Sequence, residues 1–157
     1  MSGVPKKDVG FYDLSPASQM IVWAVRKRLH LLSHGADDSE VAGAFRSAGL
    51  DELHAALMSI VDVLLCGVSN RIQIHAVSCP CLAPHETSLL SALAHLQDDD
   101  HGEAQRQIAE LMCAAAVRLV MPCMRAIIRD LDARGMRLGS VESSNLSVAS
   151  RFSGAIH

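Results

Sequence analysis

The stretch DELHAALMSIVDVLLC, residues 51–66, decides the fold class. Leu53, Leu57, Ile60 and Leu64 recur at spacings of three and four, the interval that lines up side chains on one side of an α-helix. His54, Met58, Val61 and Leu65 lie beside that stripe, and Asp51, Ser59 and Asp62 take the other side. An apolar sector this wide suits a helix packed against two neighbours rather than one. Gly67 is its stop signal.

Toward the N-terminus the same period continues. Ser39 or Asp38 caps a short helix running to about Ala48, with Gly49 closing it. Before that, Ser15 caps and Pro16 opens a helix to about Ser33, because proline loses nothing at a position whose N–H has no partner anyway. Its stripe is Val22, Val25, Leu29 and Leu32. Residues 1–14 read as a flexible polar leader.

On the other side of the central helix, Arg71-Ile72-Gln73-Ile74-His75 alternates polar and apolar residues. That pattern predicts a short extended segment at 71–75, an irregular connector or a strand that pairs with its copy in a second subunit. Residues 77–84 are loop, and Pro84 opens a helix to Gln97 lined by Leu89, Leu93 and Leu96. Asp98-Asp99-Asp100 ends it and supplies carboxylates for the positive end of the next helix. That last helix is expected from His101 to about Arg134. Its stripes before and after Pro122 point in different directions, and proline removes a backbone hydrogen bond, so a kink is expected near Val120–Pro122. Residues 139–157 are Ser-rich, without a sustained stripe, and read as a disordered tail.

The expectation is therefore an all-α, single-domain helical bundle of five or six helices over residues 15–138. Composition agrees. The 157 residues are 50% hydrophobic and only 3% aromatic, dominated by side chains that lose little freedom in a helix. A chain of this length buries roughly 70% of its unfolded surface and needs no cross-link to fold. The five cysteines are odd in number and three fall in predicted helices, unlike a secreted disulfide framework. No signal-peptide pattern or 18-residue apolar run is present, which points to a cytoplasmic protein with reduced thiols and no membrane partner.

A net charge of −3 argues against binding that neutralises many phosphates. Residues 39–66 superficially match a helix–turn–helix. The would-be reading helix, however, opens with Asp51 and Glu52, contains no Lys or Arg, and has bulky Phe45 at the corner, so sequence-specific nucleic-acid binding is not expected. The P-loop, dinucleotide, nucleophile-elbow and His-Glu-x-x-His motifs are all missing from the chain.

Two groups of residues carry candidate chemistry. Cys79, Cys81 and His85, with His75 as a fourth, place thiolates and imidazoles in one loop and the first turn of a helix. Those ligand types suit zinc, iron or haem. The bland reading of the same loop is two small buried thiols and a helix start, where Glu86 reaches back to the capping N–H. Cys81 with His85 is also a conceivable nucleophile and base. The second group is Arg118, Arg125 and Arg129 on one side of the last helix, suited to forked contacts with a carboxylate or phosphate partner and otherwise simply its wet face. Arg26-Lys27-Arg28 on the first helix is read as another wet, basic run. The functional expectation is a non-enzymatic, regulatory or adaptor protein, without a cofactor, that binds a protein partner or a second copy of itself. The alternative is a metal- or haem-responsive sensor built on the Cys79, Cys81 and His85 loop.

Overall fold

The computed structural model describes residues 9–67 and 72–139. It is all helical, with six α-helices among the described residues: α1 (Pro16–Ser33), α2 (Ser39–Ser47), α3 (Asp51–Gly67), α4 (Pro84–Gln97), α5 (His101–Ala109) and α6 (Ala114–Ala133). The caps follow the sequence. Ser15 Oγ accepts from Ser18 N at 3.2 Å, and Asp100 Oδ1 accepts from Glu103 N at 3.3 Å. Glu86 Oε2 accepts from Ala83 N at 2.9 Å, the back-reach that a glutamate in the third helical position makes. Between α2 and α3 the chain turns at Gly49, whose φ of +70° puts it in the left-handed region glycine enters at least cost.

Helix α3 is the centre. It packs most extensively on α6, and α1 and α2 lie against it as well, which explains its wide apolar sector. Helices α4 and α5 form a second closely packed pair that leans on α6. Leu53, Leu57 and Ile60 of α3, Leu93 of α4, Ile108 of α5, and Met124, Ile127 and Leu131 of α6 are fully buried in one contiguous core. Removal of such side chains from water is the main stabilising term.

The last helical stretch departs from expectation. The break falls at residues 110–113, not near Pro122. Cys113 is extended, with φ −70° and ψ 164°, and starts a new helix, while Leu111 and Met112 in the connection turn inward and are buried. A change of direction between α5 and α6 thus reconciles the two diverging apolar stripes. Ala116 faces the core and Ala115 is exposed. Pro122 sits inside α6 on its exposed side, where the carbonyl deprived of its donor lies at the wet surface and the helix continues.

The chain ends of the domain are tied in by polar groups. Buried Gln97 accepts from Leu138 N at 2.8 Å and donates to Met136 O and Asp132 Oδ1, both at 2.9 Å. Leu138 O in turn accepts from the hydroxyls of Ser15 and Ser18 at 2.8 and 3.0 Å. Of the leader expected over 1–14, the described residues 9–14 are packed onto the domain. Residues 11–13 form a short 3₁₀ turn, Leu14 is buried, and Phe11 N donates to Pro80 O at 2.7 Å. The rest of the leader, residues 1–8, and all but Gly139 of the tail expected over 139–157 lie outside the described residues. No described helix is long and apolar enough to cross a membrane.

Candidate interaction face and the Cys-Pro-Cys loop

Arg26 follows Val22 by four residues, so it rides on the apolar side of α1 and is carried into the interior. Its side chain is 0% exposed and that of Glu86 is 1% exposed. The two meet in a forked pair, Nε to Oε1 at 2.7 Å and Nη2 to Oε2 at 2.8 Å. Two further guanidinium donors reach loop carbonyls, Cys79 O and Cys81 O, both at 2.7 Å. Glu86 also accepts from His75 N at 3.0 Å. The hydrogen bonds that Arg26 donates to Glu86 raise the guanidinium pKa above its ordinary value, outweighing the opposing effect of burial. This hub holds α1, α4 and the loop between α3 and α4 in one arrangement. Arg26 is therefore not part of a wet basic run: only Lys27 and Arg28 lie toward the surface, paired with Glu40 at 3.2 Å and with Asp62 at 3.7 Å.

Hung on that hub, the loop places its four candidate ligands as follows. His75 Nδ1 lies 3.5 Å from Cys79 Sγ and 3.1 Å from Cys81 O. His85 is engaged elsewhere, its Nδ1 accepting from Gln73 N at 2.6 Å. Cys81 is exposed and Cys79 half-buried. Among the described residues no group of three or more His, Cys, Asp or Glu is placed to hold a metal ion. The loop thus brings together Cys79 and His75, whereas the nucleophile and base conceived from the sequence were Cys81 and His85. Nothing in the spacing marks the observed pair, because the turn over residues 77–78 decides which thiol faces the ring.

Residues 72–75 form no strand. The alternation of this segment has another cause. Ile72 and Ile74 pack on the core, while the N–H groups of Gln73 and His75 are consumed by His85 and Glu86 of α4. Arg71 lies outside the described residues.

The three arginines of α6 do share a face. At about 100° per residue, positions 118, 125 and 129 fall within about 40° of one another around the helix axis. All three are exposed, and Leu119 beside them is 64% exposed. Every other described arginine is in an ion pair with a carboxylate: Arg26, Arg28, Arg46, Arg106, Arg134 and Arg137. Arg118, Arg125 and Arg129 make no such pair among the described residues. Asp132, one turn from Arg129, is held instead by Gln97. Arg125 and Arg129 stand at the rim of an open cleft of about 280 Å³ whose apolar lining is Leu96 and Ile128, with Asp99, His101 and Asp132 on its other edges.

Compared with known proteins, the chain matches no family model, no curated protein and no solved structure.

Proposed function

We propose that the chain is a non-enzymatic interaction protein and that the outer face of α6 receives an acidic, helical segment of a partner protein. The observation that carries this reading is the contrast among the arginines. Among the described residues six are matched to carboxylates, and the three without a match there share one face of one helix. Guanidinium groups favour forked contacts with carboxylates, and Leu119 and the Leu96–Ile128 cleft offer apolar area next to them. Spacings of seven and four residues between the arginines fit a partner helix carrying carboxylates at the same intervals. A second copy of the chain is a poorer occupant of this face, since two such stripes placed together repel.

The test is binding of a labelled helical peptide bearing glutamates at intervals of seven and four, followed by fluorescence anisotropy. Binding is expected to weaken with added salt and to fall about tenfold or more when Arg125 and Arg129 are both changed to Glu. Equal binding by the wild-type and charge-reversed chains would refute the assignment. So would sedimentation showing α6 occupied in a dimer that persists in the charge-reversed variant.

A further inference from the structure

We infer that Cys79 is a nucleophilic thiol, served by His75 as its base, that exchanges with small-molecule disulfides. Three features of the loop carry this. The nucleophile and base are 3.5 Å apart, from Cys79 Sγ to His75 Nδ1, within reach of proton transfer. The same ring nitrogen lies 3.1 Å from Cys81 O, so a proton arriving on Nδ1 finds a carbonyl waiting to accept a hydrogen bond from it. That carbonyl is held in place at 2.7 Å by the fully buried Arg26, which also holds Cys79 O, and Cys79 N donates to Ala76 O at 3.0 Å. Because the carbonyl meets the same nitrogen as the thiol, it acts by favouring the protonated ring, the imidazolium that pairs with a Cys79 thiolate, and not as the third member of a triad. Of the described cysteines, Cys66, Cys81 and Cys113 are exposed, and Cys123 Sγ faces only the Leu119 carbonyl at 3.8 Å.

His75 also lines an open groove of about 380 Å³. Leu29, Leu65, Ile72 and Ile74 supply its apolar walls; Cys79 is not among its lining residues, so a disulfide attacked by Cys79 reaches the groove past His75. The step is a thiol–disulfide exchange with no net change in oxidation state. His75 Nδ1 takes the proton from Cys79 Sγ, and the thiolate attacks one sulfur of RS–SR. A Cys79–SR bond forms as the RS–SR bond breaks. The electron pair leaves on the second sulfur as RS⁻, which takes the proton back from the imidazolium. A free thiol in excess reverses the adduct by the same route.

The experiment uses the full chain, reduced, with oxidised glutathione as the probe and mass-spectrometric mapping of each cysteine over time. Accessibility alone ranks the exposed Cys66, Cys81 and Cys113 ahead of half-buried Cys79. The inference reverses that order, with Cys79 reacting about tenfold or more faster than any of them. In His75→Gln, with helicity checked by circular dichroism, the Cys79 rate is expected to fall about tenfold while the Cys113 rate stays unchanged. A Cys79 rate no greater than that of the exposed thiols overturns the inference in the wild type alone, whatever the variant does. An unchanged Cys79 rate in a folded His75→Gln chain overturns the role of the imidazole.

Discussion

Arg26 shows how one side chain decides the meaning of its neighbours. In sequence it belongs to Arg26-Lys27-Arg28, yet successive residues on a helix point about 100° apart, so a run of three charges cannot share one surface. Its phase with Val22 was visible, but its partner Glu86 is sixty positions away and only tertiary contact reveals it. Because both groups are excluded from water, removing one leaves the other charged and unmatched. Glu86→Ala is expected to cost about 3–5 kcal/mol, read from urea unfolding, and Arg26→Met with Glu86→Leu is expected to recover only part of that loss, because the Cys79 and Cys81 carbonyls and the His75 and Ala83 N–H groups then lose their partners. A double variant no more stable than the single one would show that the pair does more than satisfy itself. The exposed thiols and the α6 arginines were legible as residue types. Which thiol meets which imidazole was not, because the loop backbone is set by hydrogen bonds to Arg26.

At the scale of elements, start signals proved more informative than breakers. Ser15-Pro16, Pro84 with Glu86, and Asp100 each mark a helix start that local hydrogen bonding completes. Pro122 does not interrupt α6, because the cost of proline depends on which side of a helix it occupies, and on the solvent side water supplies what the chain lacks. The true break at residues 110–113 is marked by neither Gly nor Pro; it comes from the mismatch of two apolar stripes, resolved by a change of direction. The short helix α5 has a local support of its own. Glu103 is held by Arg106 above all and then by Gln107, and its pKa falls from the ordinary 4.5 to about 2. A carboxylate whose pKa is lower in the folded state contributes stability above its unfolded pKa and loses it as the pH falls through the folded one. Thermal melts of Glu103→Gln and the wild type should therefore differ most above about pH 4.5 and converge as the pH approaches about 2. A constant difference across that range would mean the carboxylate's charge is immaterial.

On the scale of the whole molecule, the six helices share one core, and Gln97 with Ser15 and Ser18 binds the segment after α6 to the start of α1. One core implies one cooperative transition. Trp23, the single tryptophan, is half-buried on α1 against that core, far in sequence from the α4–α6 half of the chain. Its fluorescence and the helical circular dichroism signal should lose their folded values at the same urea midpoint; two midpoints would divide the molecule into independently stable parts.

By itself, the amino-acid sequence determined the helical class, nearly all helix limits outside the last stretch, the core side chains of α3 and α4, and the residue types from which a site could be made. These are matters of local period and local capping, which the chain carries in each short window. In the stripe read on α1, Leu32 is exposed and Ile21 is buried instead. The tertiary structure alone decided that Arg26 is buried, that Cys79 rather than Cys81 meets an imidazole, and that three arginines of α6 stand without carboxylate partners among the described residues. Each of those facts depends on which distant segments come within hydrogen-bonding reach, and packing settles that after the helices have formed.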